Sequence, residues 1–327
     1  MVEDQEVCVF FSSRSNAPAG LRASLCSMVG SVVCSMVLVL ASQAQAATTI
    51  PQMWDQQFGS GAFKVVKTLE KNSQFTRYLI EYPSEGLKLQ GFVNVPNKTA
   101  HQVVIMLHGY VNPSGYKLLT YTTRYADDLA RSGFIVFHPN FRGHGSSEGK
   151  ADSDAFRSDY VRDTLNLVGQ IRKQKGKGIL KNFNGNIGLW GHSMGGGVAL
   201  KTLVTDPRIK AAVLYAPMSG DEAKNLKRIQ MWSGGTRGKE LSRVPSKTLA
   251  QHSALNHLEN VSTAIRVYHG TKDQEVPYLW SKELCEKSKG LGLYIRCTSY
   301  ANAGHLFSGK TDQAFRADVK LFFKQHL

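Results

Sequence analysis

The sequence lacks several features that would assign it at once to a class of protein. It has no internal repeat, heptad run or low-complexity tract, which excludes repeat proteins and coiled coils. Its 25 acidic residues are outnumbered by 40 lysines and arginines, a formal net charge of +15. These basic residues are dispersed, and no nucleic-acid motif or dense Lys/Arg block is present. A basic surface in water is the first interpretation, and attraction to an acidic polysaccharide or a lipid surface is the alternative.

Long apolar runs are also absent, apart from one near the start of the chain. Residues 28–41, "MVGSVVCSMVLVLA", carry no charge and have the length of a signal-peptide core, which is too short to span a bilayer comfortably. Ala44 and Ala46 follow at the small-residue positions of a cleavage site. We predict a leader over residues 1–46, export to the periplasm or the medium, and no membrane span afterwards. An uncleaved anchor is the alternative. A signal peptide carries positive charge before its apolar core, and a translation start near Arg22 would supply it.

Cysteine is scarce, and the scarcity is informative. Of five cysteines, three lie in the predicted leader. Cys285 and Cys297 remain as an even pair in an oxidising compartment, so we predict a disulfide between them. Two unpaired buried thiols are the alternative. Neither cysteine has a histidine or another cysteine at metal-ligand spacing, and we predict no zinc, no other metal and no cofactor.

The hydrophobic pattern changes along the mature chain. Residues 63–96 alternate apolar and polar side chains, as half-buried antiparallel strands do. Beyond them, continuous apolar runs alternate with helical stretches. The predicted strands are 103–107, 134–137, 186–190, 210–216, 265–270 and 293–300, and the predicted helices are 119–132, 154–174, one that begins at Ser193, 277–289 and 311–325.

This order predicts a single α/β domain over residues 47–327. We expect a mostly parallel central sheet with antiparallel N-terminal strands and helices on both faces. Residues 221–262 form a polar helical insert. Ligand sites in such sheets lie beyond the carboxyl ends of the strands.

Two serines occur in the frame G-x-S-x-G. Ser193 lies in "LWGHSMGGGVAL", directly after an apolar run and at the start of a helix. Such a strand-to-helix turn needs glycines, exposes the hydroxyl above the sheet and aims a helix N-terminus at it. Ser147, in "GHGSSEG", lies in a loop and has neither feature. Ser193 is therefore the predicted nucleophile.

A serine nucleophile needs a histidine base, which in this arrangement follows it in the chain. His305, in "YANAGHLFSG", lies in a loop just after the last strand and can reach back over the sheet. The other histidines after Ser193 lie in the insert, in a buried strand or at the C-terminus: His252, His257, His269 and His326.

The histidine in turn needs a carboxylate to orient it. Asp273, in "HGTKDQEVP", follows a buried strand directly, and a strand end is a rigid platform. Asp221 and then Glu275 are the alternatives.

Two backbone N–H groups should stabilise the oxyanion of the reaction intermediate. We predict those of Met194, at the helix start, and Tyr110, in the loop "HGYVNP". The neighbouring His108 is expected to support that loop.

The motifs "LHGY", "GHSMGG", "HGTKDQEVP" and "AGHLF", in this order, resemble the α/β-hydrolase superfamily. The resemblance is to its prolyl-oligopeptidase-like and dienelactone-hydrolase-like serine hydrolases, and it runs from about residue 75 to the C-terminus. It implies a triad of Ser193, Asp273 and His305, in agreement with the positions above. Prolyl oligopeptidases carry a β-propeller before the catalytic domain, and residues 47–102 cannot hold one.

We therefore predict a secreted serine hydrolase that cleaves carboxylic esters through an acyl-enzyme. A small peptidase or aminopeptidase is the alternative, distinguished by a pocket carboxylate that holds a substrate amino group. A non-catalytic binding protein on the same scaffold is a third interpretation. The insert is expected to roof the pocket with Met231 and Trp232 as substrate contacts; ordinary packing of these two residues on the body of the domain is the alternative. The basic charge of the insert argues against binding an ammonium group. The expected partner is a small-molecule ester or short peptide, not a nucleic acid.

Overall fold

A nine-stranded sheet runs through the protein. The structure is a computed structural model and describes residues 47–151 and 155–327, so the predicted leader lies outside the described residues. The strands are β1 (Lys64–Lys71), β2 (Phe75–Ser84), β3 (Leu87–Pro96), β4 (Val103–Leu107), β5 (Ile135–Pro139), β6 (Ile187–His192), β7 (Ala211–Tyr215), β8 (Ala264–Gly270) and β9 (Ile295–Tyr300). The helices are α1 (Ile50–Trp54), α2 (Thr123–Arg131), α3 (Ser158–Lys173), α4 (Met194–Thr205), α5 (Glu222–Trp232), α6 (Ser246–His252), α7 (Tyr278–Gly290) and α8 (Gly309–His326).

The strand order is β1-β2-β3-β5-β4-β6-β7-β8-β9. The first three strands form an antiparallel meander, and β3 pairs antiparallel with β5. From β5 to β9 all pairs are parallel. The predicted parallel sheet with antiparallel N-terminal strands is thus confirmed.

Burial explains why the central strands are continuous apolar runs. Every residue of β4 and of β7 is buried, because helices cover both faces of the sheet. One hydrophobic cluster contains residues of α3 and α4, and a separate one contains residues of α2 and α8. Helices therefore pack on both sides, as predicted.

Strand β3 is more deeply buried than its alternation suggests. Phe92 and Asn94 are both fully buried, although they fall between the apolar positions of the pattern. The reason is that α2 packs on the face of β3 that carries Phe92 and Asn94. Buried Asn94 is satisfied there, since its side-chain oxygen accepts a hydrogen bond from Arg77 Nε at 2.9 Å.

The insert over residues 221–262 contains α5 and α6. Asp221 caps α5 by accepting a hydrogen bond from the N–H of Ala223 at 2.9 Å. The next residue, Glu222, pairs with Lys201 of α4 at 2.7 Å, and both side chains are almost fully buried. This ion pair attaches the insert to the helix that begins at Ser193.

Two further features concern the molecule as a whole. A disulfide joins Cys285 of α7 to Cys297 of β9. Within the described ranges, no helix is both long enough and apolar enough to cross a membrane.

Candidate active site

Ser193 stands at a sharp turn between β6 and α4. Its φ of 55° is positive, a backbone conformation that non-glycine residues adopt rarely and at a cost of about 1–3 kcal/mol. The turn is closed by hydrogen bonds from the N–H groups of Gly196 and Met218 to the Ser193 carbonyl at 3.0 Å. A side chain at Gly195 would collide with the backbone of Leu107, so the glycine of the motif is sterically required. The chain holds Ser193 at the carboxyl end of the sheet.

Asp273 and His305 meet beside this turn although 32 residues separate them. Backbone hydrogen bonds join the two loops, from Thr271 N to Tyr300 O at 3.0 Å and from Lys272 N to Ala303 O at 2.9 Å. His305 Nδ1 lies 2.7 Å from Asp273 Oδ2. An ionised carboxylate can only accept, so Nδ1 carries the proton and the lone pair of the ring is on Nε2.

The carboxylate of Asp273 is buried yet ionised. Its Oδ1 accepts hydrogen bonds from the N–H groups of Glu275 and Val276 at 2.8 and 2.9 Å. Burial raises the pKa of Asp273, but hydrogen bonds from His269 and His305 outweigh it and hold the pKa below its usual range. The group is therefore a fixed negative charge at every ordinary pH.

His269 is a site residue that the sequence reasoning missed. Its Nε2 lies 3.0 Å from both Asp273 Oδ2 and the Val276 carbonyl, and its Nδ1 lies 2.7 Å from Ser281 Oγ. Because both partners of Nε2 are acceptors, Nε2 donates, and Ser281 donates to Nδ1. The only sequence signal was its position four residues before Asp273, at the end of β8.

His192, which precedes Ser193, was also not singled out. Its Nε2 donates to the His305 carbonyl at 3.2 Å, and its Nδ1 accepts a hydrogen bond from the Tyr121 hydroxyl. Burial and then the proximity of His305 lower the pKa of His192 well below its usual value. His192 therefore stays neutral and holds the backbone of His305 in place.

The loop after β4 passes directly over Ser193. A Cβ placed on Gly109 would lie 2.7 Å from the Tyr121 hydroxyl oxygen and 3.2 Å from Ser193 Cβ, so a side chain there would crowd both residues. His108 Nδ1 donates to the Gly109 carbonyl at 2.7 Å, the supporting contact expected of it. In the described part of the chain, the N–H groups of Met194 and Tyr110 donate to no protein acceptor. Both predicted oxyanion donors are thus available.

Ser193 and His305 open into a cavity of about 790 Å³. Its remaining lining residues are Tyr110, Val111, Gly115, Thr120, Tyr121, Arg157, Met194, Met218, Ile229, Trp232, Ser233, Arg237, Glu275 and Leu306. Of the two predicted substrate contacts, Trp232 lines this cavity. Met231 does not, and it is 65% exposed. Ile229 takes its place, because residues three apart share one face of α5.

The alternative residues have structural duties elsewhere. Ser147 Oγ accepts a hydrogen bond from the N–H of Gln90 at 2.9 Å, which ties its loop to β3. Asp221 caps α5, as described above. His252 stacks on Phe156 with ring centroids 4.0 Å apart. Glu275 is different, since it is exposed and lines the cavity.

The chain is similar in sequence to several known proteins. The family described as serine aminopeptidase, S33, matches residues 98–253. An uncharacterized peptidase of Bacillus subtilis, YtmA, is 25% identical over 250 residues, which cover 74% of this chain and 91% of that protein. An uncharacterized 31.7 kDa protein of Escherichia coli, from the traX-finO intergenic region, is 28% identical over 130 residues. That match covers 40% of this chain and 42% of the relative's length.

Among solved structures, an esterase of Pyrococcus furiosus superposes with a TM-score of 0.59 at 21% identity. The match covers 81% of this chain and 99% of the esterase. The fold and the sequence matches point the same way: the chain has the α/β-hydrolase fold, and part of its sequence is similar to that of serine hydrolases. In the described residues, no cluster of three or more histidine, cysteine or acidic side chains could hold a metal ion.

Proposed function

We propose that the protein hydrolyses carboxylic esters of small molecules, with Ser193 as nucleophile, His305 as base and Asp273 as the carboxylate that orients His305. The observation that carries the proposal is the shared cavity. Ser193, on its strained turn, and His305, already bonded to Asp273, line the same space of about 790 Å³. Conversion of a serine hydroxyl into a nucleophile requires this combination of a position that opens into the substrate cavity and an oriented base.

The reaction follows from the protonation states. Ser193 Oγ attacks the ester carbonyl carbon while its proton passes to His305 Nε2, whose lone pair is free because Nδ1 donates to Asp273. The carbonyl oxygen becomes an oxyanion and accepts hydrogen bonds from the N–H groups of Met194 and Tyr110. The intermediate collapses, and the alcohol leaves with the proton from His305. Water then attacks the acyl-enzyme by the same steps and releases the acid.

The remaining lining residues support a small ester rather than a peptide. Met218, Ile229 and Trp232 provide an apolar surface for an acyl group. The fold is shared with an esterase of similar length.

A peptidase is the second candidate, and one observation favours it. Glu275 is exposed and is the only acidic residue among the described residues that line the cavity. It could hold the amino group of a peptide. The relative from B. subtilis is described as a peptidase.

The decisive experiment compares substrates on protein that starts at Ala47, beside a Ser193→Ala variant. We expect kcat/KM on p-nitrophenyl esters to exceed that on aminoacyl and X-Pro anilides by more than about a hundredfold, with S193A inactive and unlabelled by a fluorophosphonate. Cleavage of anilides as fast as esters, together with loss of that anilide cleavage in Glu275→Gln, would establish the peptidase. A fully active S193A would refute the nucleophile. An inactive and unlabelled wild-type protein would favour a binding protein.

The insert over residues 221–262 is proposed to roof the cavity. Four residues of the insert line the cavity and support this: Ile229, Trp232, Ser233 and Arg237. Trp232→Ala should change the acyl-chain-length preference more than it changes the rate on the acetate ester, and an unaltered preference would argue against a roof.

Export and the division of the chain into a leader (residues 1–46) and a catalytic domain (residues 47–327) belong to the same proposal. The disulfide between Cys285 and Cys297 supports export, because such bonds persist in oxidising compartments. Fractionation of expressing cells, with N-terminal sequencing of the mature protein, tests both. A chain that begins at Met1 in the cytoplasm would contradict them.

A further inference from the structure

Arg157 lines the cavity beside Ser193 and His305 and has no part in the proposed reaction. It precedes α3 and is only 8% exposed. An arginine stays charged at any ordinary pH, so its burial calls for an anion or for several acceptors.

Among the described residues, Arg157 has neither an acidic partner nor several acceptors. Across residues 47–151 and 155–327, its side chain makes one hydrogen bond, from Nη1 to the Ala155 carbonyl at 3.4 Å. Its Nε is fully buried and donates to no acceptor in the same part of the chain. One long hydrogen bond leaves most of the five N–H donors of the guanidinium unused.

The other buried arginines behave differently. Arg77 pairs with Glu70 at 2.7 Å and with Asp127. Arg142 pairs with Asp163 at 2.6 Å and with Glu85 at 2.8 Å. Arg157 therefore differs from Arg77 and Arg142, because its guanidinium has no acidic partner among the described residues. This guanidinium lines the cavity of the proposed site.

The backbone of Arg157 is held firmly. Its φ of 59° is positive, and its carbonyl accepts hydrogen bonds from the N–H groups of Tyr160 and Val161 at 3.1 and 3.2 Å. The preceding carbonyl, of Phe156, accepts a hydrogen bond from buried Lys201 of α4. Because α4 begins directly after Ser193, one helix positions both the serine and the arginine.

We propose that Arg157 binds a carboxylate of the substrate, so that the protein acts on esters whose acyl part carries a second, free carboxylate. The inference rests on the proposed function and specifies its substrate class. A planar guanidinium binds a carboxylate through two parallel hydrogen bonds. The apolar side chains of Met218 and Ile229 contact the chain that joins the two ends of such a molecule.

The test compares p-nitrophenyl half-esters of succinate, glutarate and adipate with the uncharged butyrate, valerate and hexanoate esters. Background hydrolysis is measured with Ser193→Ala. We expect Arg157→Gln to lower the ratio of kcat/KM for the charged ester to that for the uncharged ester by about 10- to 100-fold at the best chain length, mainly through KM. Arg157→Lys should restore part of the ratio.

The matched control is Arg131→Gln, which removes the same charge from an exposed arginine at the end of α2. It should leave the ratio unchanged. The inference is overturned if wild type and R157Q have equal ratios, or if R131Q lowers the ratio as much as R157Q does. Labelling of R157Q by a fluorophosphonate shows that the variant folds. Failure of the wild-type protein to cleave any ester would refute the proposed function instead.

Discussion

At the scale of single residues, the site is a chain of hydrogen bonds, and the neighbouring groups fix which partner of each bond donates and which accepts. Asp273 accepts from two backbone N–H groups and from His269 and His305. Its acceptors are thereby occupied, and the carboxylate cannot rotate away from His305. The proton on Nδ1 of His305 is therefore held there by the contact with Asp273, not by the intrinsic tautomer preference of the imidazole ring.

His269 should act as a positioning residue for Asp273. His269→Phe removes one hydrogen bond to a charged acceptor, so we expect kcat to fall about tenfold, equivalent to about 1.4 kcal/mol, with KM nearly unchanged. His269→Gln, which keeps a donor, should retain more activity. Steady-state kinetics on one uncharged ester measures both. His326→Gln, at the end of α8, is the control. An unaltered kcat in His269→Phe would contradict the positioning role of His269.

The depressed pKa of Asp273 should appear in stability as a function of pH. Its folded-state pKa lies below the unfolded value of about 3.9, so the ionised group stabilises the folded protein above about pH 4 and less as the pH falls. The difference in free energy of unfolding between wild type and Asp273→Asn should therefore be larger at about pH 5 than at about pH 3. Urea denaturation at the two values measures it, and a constant difference would exclude this origin.

At the scale of elements, α4 connects the parts of the site. It begins at Ser193, its Lys201 pairs with Glu222 of the insert, and the same amine bonds the carbonyl next to Arg157. Helix α4 thus links the proposed nucleophile, the proposed roof and the arginine that we propose binds a carboxylate.

Glu222→Ala should leave the Lys201 charge buried and unpaired, and we expect it to lower the free energy of unfolding by about 3–5 kcal/mol. The double variant Lys201→Met, Glu222→Leu should lose less, because no charge remains. Equilibrium urea denaturation gives both values. The control is Glu283→Ala at the half-exposed pair Lys224–Glu283, where a loss of about 1 kcal/mol or less is expected. Equal losses at the two pairs would refute the argument.

The disulfide between α7 and β9 closes a short loop at the edge of the sheet, where β9 has one neighbouring strand. Replacing Cys285 and Cys297 together by serine should lower the free energy of unfolding by about 3 kcal/mol, chiefly because the unfolded chain gains freedom. A reductant should destabilise the wild type by a similar amount and leave the double variant unchanged. A reductant effect on the double variant would point to another cause.

At the scale of the whole molecule, the net charge of +15 adds a long-range attraction for anions to the short-range pairing at Arg157. For a carboxylate-bearing ester, kcat/KM should fall several-fold between about 0.01 M and about 0.5 M salt, as screening shortens the range of the field. The uncharged ester of the same length is the control and should change little. An equal salt effect on both esters would show that the net charge does not steer the substrate.

The order of strands and helices could be read from the chain because each depends on a local pattern. Runs such as residues 103–107 are apolar throughout, a composition typical of a strand covered on both faces. Alternation in residues 87–96 predicted one buried face, but β3 is buried on both sides, since its neighbours and the helices that cover it come from distant parts of the sequence.

The positions of Ser193, Asp273 and His305 could also be anticipated, because each follows a strand and all strands of a parallel sheet end at one edge. His269 and Tyr121 could not. Tyr121 bonds His192 across 71 positions of the chain, and no local pattern encodes such a distance.

The local pattern of the chain was therefore enough to predict the class of fold, the turn that carries Ser193 and the loops around it. Backbone geometry and burial fix how apolar and polar residues are spaced, and that spacing can be read from the sequence. Which side chains enter the cavity was settled by packing. Trp232 lines it while its neighbour Met231 is exposed, and Arg157 reaches it from the start of a different helix. The direction of a side chain depends on contacts with residues far away in the chain, and those contacts exist only once the sheet and its helices have assembled.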